Sequence, residues 1–280
     1  MALKYDLVIF DLDGTITDSG LGMLNSAKYA LKTVGYPIPD DDVMLKMIGP
    51  PLSVSLSSIL GVQEKDHKIV GKIYREHFVK TGYKDYSLYK GFRGLLEKLK
   101  HNGIKIALAT SKPIIPTMKV MEYFRLSHFF DSINGIKDDN NEETKTTIIA
   151  RALKLEHTNA VMVGDRKYDG DGAVANNIDF IGAAYGFGDE DELYNAGAKA
   201  IAKRVEELYS FLGLENLPSP EGKFISIEGM DGCGKTTQIE LLYKNLNKFG
   251  FDFIATREPG GCKISEEIRN ILLSNENIEM

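Results

Sequence analysis

The chain has 280 residues, 43% of them hydrophobic and 26% charged, a globular composition with room for one large domain or two smaller ones. A net charge of −6 gives no basic footprint for nucleic acid. Two cysteines, Cys233 and Cys262, make neither a disulfide framework nor a four-ligand zinc site. The apolar stretch ahead of Asp11 is too short for a signal peptide and no apolar run approaches a membrane span, so the expectation is a cytoplasmic protein without nucleic-acid or membrane partners.

A short apolar strand is predicted over Leu7 to Phe10, ending abruptly in Asp-Leu-Asp-Gly-Thr. Leu21, Leu24, Ala27, Leu31 and Val34 form a helical stripe closed by Gly35 and Pro37. Ile48-Gly49-Pro50-Pro51 reads as a turn, Val54 to Phe78 as helices, and Arg93 to His101 as a helix closed by Asn102-Gly103. Strands follow at Ile104 to Ala109, Ala160 to Val163 and Phe180 to Ala184, with helices over Ile114 to Phe124 and Thr146 to Leu155. The acidic run Asp138 to Glu143 reads as a solvated loop. Short buried strands alternating with amphipathic helices predict a doubly wound, parallel α/β sheet, interrupted after its first strand by a helical insertion. Leu214 to Gly222, with two prolines, reads as a linker. Beyond it come a predicted strand, Phe224 to Ile227, a glycine-rich turn, and a helix over Thr237 to Phe249.

Ligands of open α/β sheets bind beyond the carboxyl ends of the strands, and three predicted strands end in Asp11, Thr110 and Gly164-Asp165. Asp11 and Asp13 share a face if the chain stays extended, and Gly14 then lets it turn. Three crowded carboxylates are costly unless a cation shares their charge, and oxygen-only ligation beside a phosphate suits Mg²⁺. Phosphoryl transfer needs a nucleophile, a proton donor and charge stabilisation. Asp11 can attack, Asp13 can shuttle the proton, and Thr110 with a lysine can hold the phosphoryl oxygens.

These residues resemble the haloacid-dehalogenase-like (HAD) hydrolases. Asp11-Leu12-Asp13-Gly14-Thr15 is similar to that family's first motif and Leu108-Ala109-Thr110-Ser111-Lys112 to its second. Lys145 resembles the third, and Gly164-Asp165-Arg166-Lys167-Tyr168-Asp169 the fourth. The resemblance implies Asp11 as nucleophile, Asp13 as general acid/base, and Thr110 and Lys145 as phosphoryl ligands. It implies Mg²⁺ held by the Asp11 and Asp165 side chains and the Asp13 carbonyl, with Asp169 in support. The insertion matches the small helical cap of phosphoglycolate-phosphatase-like members, and Ile48 to Pro51 resembles the cap loop facing the site. A calcium loop fails because the EF-hand pattern wants Asp or Asn at Thr15 and Gly at Ile16. Dehalogenation has no use for the acid Asp13, and phosphoglucomutase-type transfer is the minor alternative.

Gly229-Met230-Asp231-Gly232-Cys233-Gly234-Lys235-Thr236 fits the P-loop pattern, whose backbone N–H groups cradle phosphate while Lys235 reaches the β- and γ-phosphates and Thr236 holds Mg²⁺. From Phe224 through Gln238 the segment resembles thymidylate kinase. Thr256-Arg257-Glu258-Pro259-Gly260-Gly261 is similar to that family's second motif, which carries Arg257 over to the nucleoside-monophosphate phosphate and Asp231 to the substrate sugar. The match covers only the first quarter or third of such a kinase, and the lid is absent.

The expected organisation is a HAD-like phosphatase over 1–213 (core 1–17 and 91–213, cap 18–90), a linker over 214–222, and a partial P-loop kinase segment over 223–280 that would take ATP. The expected activity is Mg²⁺-dependent hydrolysis of a small phosphorylated metabolite, phosphoglycolate-like or nucleotide-like. The alternatives are a dTMP kinase whose remainder is missing here, and a regulatory module in which neither site turns over. The kinase segment is expected to be inactive in this chain and poorly ordered toward its end. The five histidines receive no role.

Overall fold

The computed structural model describes residues 3–48, 52–137, 143–230 and 233–256, together with 264, 267 and 268. In chain order the N-terminal half carries β1 (Leu7–Phe10), β2 (Thr17–Asp18), α1 (Gly20–Val34), α2 (Asp41–Leu45), α3 (Leu52–Val54), α4 (His67–Lys80), β3 (Ser87–Leu88), α5 (Phe92–His101), β4 (Lys105–Pro113), α6 (Ile114–Tyr123) and β5 (Ser132–Ile136). Then follow α7 (Lys145–Ala152), β6 (Ala160–Gly164), α8 (Lys167–Ala175), β7 (Asp179–Ala183), α9 (Glu190–Asn195), β8 (Ala200–Ala202), α10 (Glu207–Phe211) and α11 (Lys235–Lys248).

Six strands form one sheet in the order β5-β4-β1-β6-β7-β8, and every pairing in it is parallel. β1 is wholly buried between β4 and β6, which is why it is apolar at all four positions. Alternation sorts its side chains. Val8 and Phe10 join the layer of α5, α6 and α10, packing with Phe92, Leu96, Val120, Met121 and Leu208. Leu7 and Ile9 join the opposite layer of α7, α8 and α9, with Ile148, Ile149, Ala173 and Leu193. Each fully buried Val, Leu, Ile, Phe or Met among them contributes about 1.5–3 kcal/mol relative to exposure. By the same parity, the residue that follows Phe10 comes to the face where α7 and α8 begin.

The chain leaves the core through β2 and returns through β3, and these two pair antiparallel as a small base. Between them α1, α2 and α4 enclose a separate apolar cluster that includes Leu24, Leu31, Met44, Leu56, Val70 and Tyr74. One residue of the α1 stripe departs from expectation. Leu21 is 60% exposed, and the buried face is instead Gly20, Leu24, Ala27 and Leu31.

Two strands absent from the sequence-based reading complete the sheet, β5 at one edge and β8 at the other. The predicted strand at Phe224 to Ile227 does not form. Those residues carry no regular structure, and Phe224 is 90% exposed. An apolar run becomes a strand only when neighbouring strands accept its backbone hydrogen bonds, and no described strand lies beside it. The helix after it does form, beginning at Lys235 with Gly234 at positive φ as its N-cap. Of the linker residues, Leu214 is fully buried and Leu217 packs on the core. Gly49, Pro50 and Pro51 of the cap loop, most of the acidic run and the chain beyond 268 lie outside the described residues, so the expected disorder at the C-terminus does too.

Candidate active site

Asp11 follows β1 directly, and its N–H donates to the carbonyl of Val163 (3.0 Å), extending the β1–β6 ladder by one bond. The chain then coils tightly: the amides of Ile16 and Thr17 and the Thr17 hydroxyl all donate to the Leu12 carbonyl. Gly14 sits at φ +83, and a Cβ on it would lie 2.1 Å from an oxygen of Asp165. Glycine is therefore required twice at this turn, for the backbone angle and for the approach of the fourth-motif carboxylate.

The remaining polar groups converge from other strand ends. Lys145 opens α7 behind the N-cap Thr144, and its Nζ lies 2.6 Å from Asp11 Oδ1 and 2.7 Å from Asp169 Oδ1. Asp165 follows β6 and is fully buried, accepting from the Thr15 hydroxyl (3.3 Å) and the Phe187 amide (3.0 Å). Asp169, in the first turn of α8, accepts from the Arg166 amide (3.0 Å). Thr110 is buried inside β4, which runs on to Pro113 past the end expected at Ala109, and its hydroxyl accepts from the Lys112 amide. Asp13 comes to the same end of the sheet and meets Lys112 Nζ at 2.7 Å.

One ammonium facing three buried carboxylates leaves the cluster negative. Burial, opposed by Lys145, pushes the Asp11 carboxyl up to about 6, and burial with the charges of Asp11 and Asp169 holds Asp165 well above the usual carboxylate range. Burial also works against the Lys145 charge, but Asp11 and Asp169 outweigh it and raise its affinity for the proton. Carboxylate oxygens of Asp11, Asp165 and Asp169 all lie within 4.8 Å of one another. An all-oxygen, net-negative, buried set of this kind fits a hard divalent cation such as Mg²⁺.

The sequence model of the haloacid dehalogenase-like hydrolase family matches residues 8–183, more than half of the chain. The chain belongs to the haloacid dehalogenase-like hydrolases. It is similar to the tyrosine-protein kinase PtkA of Mycobacterium tuberculosis, 33% identical over 213 residues that cover 74% of this chain and 72% of that protein. It is similar to a 5'-nucleotidase of Pseudomonas aeruginosa, 36% identical over 69% of this chain and 88% of the relative. The crystal structure of a predicted phosphatase from Clostridium acetobutylicum superposes with a TM-score of 0.69 at 38% identity, covering 75% of this chain and 99% of the other. The HAD domain is thus of the phosphatase kind, a hydrolase of phosphate esters. Residues 227–280 match the thymidylate kinase family. The thymidylate kinase of Halothermothrix orenii is 61% identical over 57 residues, and the chain spans 28% of that enzyme.

All six sequence-predicted residues of the HAD site thus meet at one end of the sheet. The P-loop lies only partly within the described residues. Asp231, Gly232 and Arg257 lie outside the described residues. Lys235 Nζ donates to the carbonyls of Gly229 (2.5 Å) and Met230 (2.8 Å), and the strand that should carry the loop is missing. Cys233 and Thr236 are exposed. Among the described residues, the loop's lysine bonds carbonyls of its own backbone.

Three residues without a sequence-assigned role reach into the HAD site. Thr15 bonds Asp165, Arg166 donates to the carbonyl of Ile48 in the cap (2.8 Å), and Lys112 bonds Asp13. For Lys112 a signal existed: it stands two residues beyond Thr110, and alternation puts such pairs on one face.

Proposed function

We propose that this chain hydrolyses the phosphate monoester of a small metabolite through a covalent aspartyl-phosphate on Asp11, in a magnesium-dependent reaction. The observation that carries this reading is the buried contact of Asp11 with Lys145, beside two further carboxylates within 4.8 Å. Asp11 attacks phosphorus through one oxygen as the bond from phosphorus to the leaving oxygen breaks, and Asp13 gives its proton to that oxygen. Asp13, now a carboxylate, then takes a proton from the water that cleaves the acyl phosphate, restoring Asp11. Lys145 and the Thr110 hydroxyl hold phosphoryl oxygens. Mg²⁺, held by the side chains of Asp11 and Asp165 and the carbonyl of Asp13 with Asp169 behind them, would neutralise charge on the phosphoryl group.

The helices over the site support a small substrate, since the cap roofs the strand ends and water must be kept from the acyl phosphate. The nucleotidase relative supports nucleoside monophosphates beside phosphoglycolate and sugar phosphates. With only two cysteines, the chain also suits the reducing cytoplasm; no described helix is long and apolar enough to cross a membrane. The test is inorganic-phosphate release from a panel of those three ester classes, with and without Mg²⁺. Magnesium-dependent release from at least one class is expected, and release that ignores chelation would refute the metal role.

The second reading, thymidylate kinase activity, rests on the C-terminal match alone. The unformed strand and the self-bonded Lys235 speak against turnover in this chain. No dTMP-dependent ADP release is expected from it, and a steady rate above the ATPase background would restore the kinase reading.

A further inference from the structure

Lys112 is a buried cation with no part in phosphoryl binding as proposed above. Its side chain is 9% exposed, and its Nζ is fixed from two sides. In the core it lies 2.7 Å from Asp13 Oδ2. In the cap it donates to the Tyr86 hydroxyl (3.1 Å) and lies 4.6 Å from the ring centre of Phe78 and 5.5 Å from that of Tyr86. Those two rings pack edge to face at 5.5 Å, and Tyr86 is fully buried. Phe78 lies in the last turn of α4 and Tyr86 precedes β3, so both belong to the return limb of the cap. The other oxygen of Asp13, Oδ1, is buried and has no hydrogen-bond partner among the described residues.

A carboxyl group that must protonate a leaving oxygen has two equivalent oxygens and a soft torsion. A charge-assisted bond to one oxygen removes that freedom and leaves the other as the only donor that can face the substrate. We propose that Lys112 is the positioning residue of the acid Asp13: it ties down Oδ2, directs Oδ1 to the leaving group, and makes that alignment depend on the cap residues Tyr86 and Phe78 being in place. The aromatic faces hold the ammonium where water would otherwise be needed to solvate it. The acid is then aligned when these cap residues are seated over the core. This inference rests on the proposed role of Asp13.

The test uses the full chain, with phenyl phosphate and p-nitrophenyl phosphate as probes of one size. Phenolate leaves poorly without a proton, whereas p-nitrophenolate leaves well without one. For Lys112→Met, kcat/KM is expected to fall roughly 30-fold with phenyl phosphate, short of the full 10²–10⁴-fold worth of a general acid because Asp13 itself remains, and about threefold or less with the nitro ester. In an Asp13→Asn background the same substitution should cost nothing further. Equal losses on the two esters, additive losses in that background, or a change in KM alone would overturn the proposal; the last would make Lys112 a substrate contact. If Lys112→Met does not melt cooperatively, Phe78→Leu, which removes a ring from the Lys112 ammonium and leaves the Lys112–Asp13 pair and Tyr86 intact, must show the same ester-selective loss in smaller measure. Absence of phosphate release by the parent chain from both esters and from the wider panel would instead sink the phosphatase mechanism itself, and is read separately.

Discussion

Asp11→Asn is expected to lower kcat/KM for phosphate release by at least about 10³-fold, a loss of roughly 4 kcal/mol of transition-state stabilisation, without lowering the melting temperature. Both halves follow from the same geometry. The amide is a poor nucleophile, so the covalent step is lost, yet its oxygen can still accept from Lys145, which keeps Asp169 as its second partner at 2.7 Å. Burial already disfavours the charged form of Asp11, whose carboxyl is pushed up to about 6. A neutral side chain therefore removes a cost in the metal-free protein. Phosphate release and thermal melting on one preparation check both. A variant that keeps more than a tenth of parental activity would exclude Asp11 as the nucleophile, and one that melts far lower would show that its charge holds the fold.

The opposite result is expected for Lys145→Met. Removing the cation strands Asp11 and Asp169 as uncompensated buried carboxylates, a loss of about 3–5 kcal/mol in the metal-free protein. For a domain of this size that is a fall of roughly 10 °C in melting temperature. Added Mg²⁺ should recover more of the melting temperature in this variant than it adds to the parent, because a divalent ion supplies the missing positive charge. Activity should fall as well, since Lys145 is the proposed phosphoryl ligand. Thermal melts with EDTA and with excess Mg²⁺ decide it. Coincident melts of parent and variant in EDTA would mean that the pair contributes no net stability.

Much of this could be read along the chain because the chemistry sits at strand ends. The abrupt change from an apolar run to Asp11, and from another to Asp165, marks both the strands and the edge where ligands collect. The positions of Lys145 and Asp169 were legible only through the spacing of the four motifs, since a lysine opening a helix is otherwise unremarkable. β5 escaped notice because Ser132, Asn134 and Gly135 break its apolar pattern. It is an edge strand, held in part by the Asn134 side chain donating to the Leu108 carbonyl (3.0 Å). β8, three residues long, lies at the other edge.

By itself the amino-acid sequence determined the central strands, the turn at Gly14, the set of residues proposed to carry phosphoryl chemistry, and the start of a nucleotide-kinase segment. These are local patterns, written in alternation, glycine placement and the order of polar residues. Tertiary structure decided what depends on groups far apart in the chain. It brought Lys145 onto Asp11 across 134 positions and Lys112 onto Asp13 across 99. It also placed Phe78 and Tyr86 of the cap around that second lysine. And it left Phe224 to Ile227 without a sheet, because a strand needs partners for its backbone that no local pattern can supply.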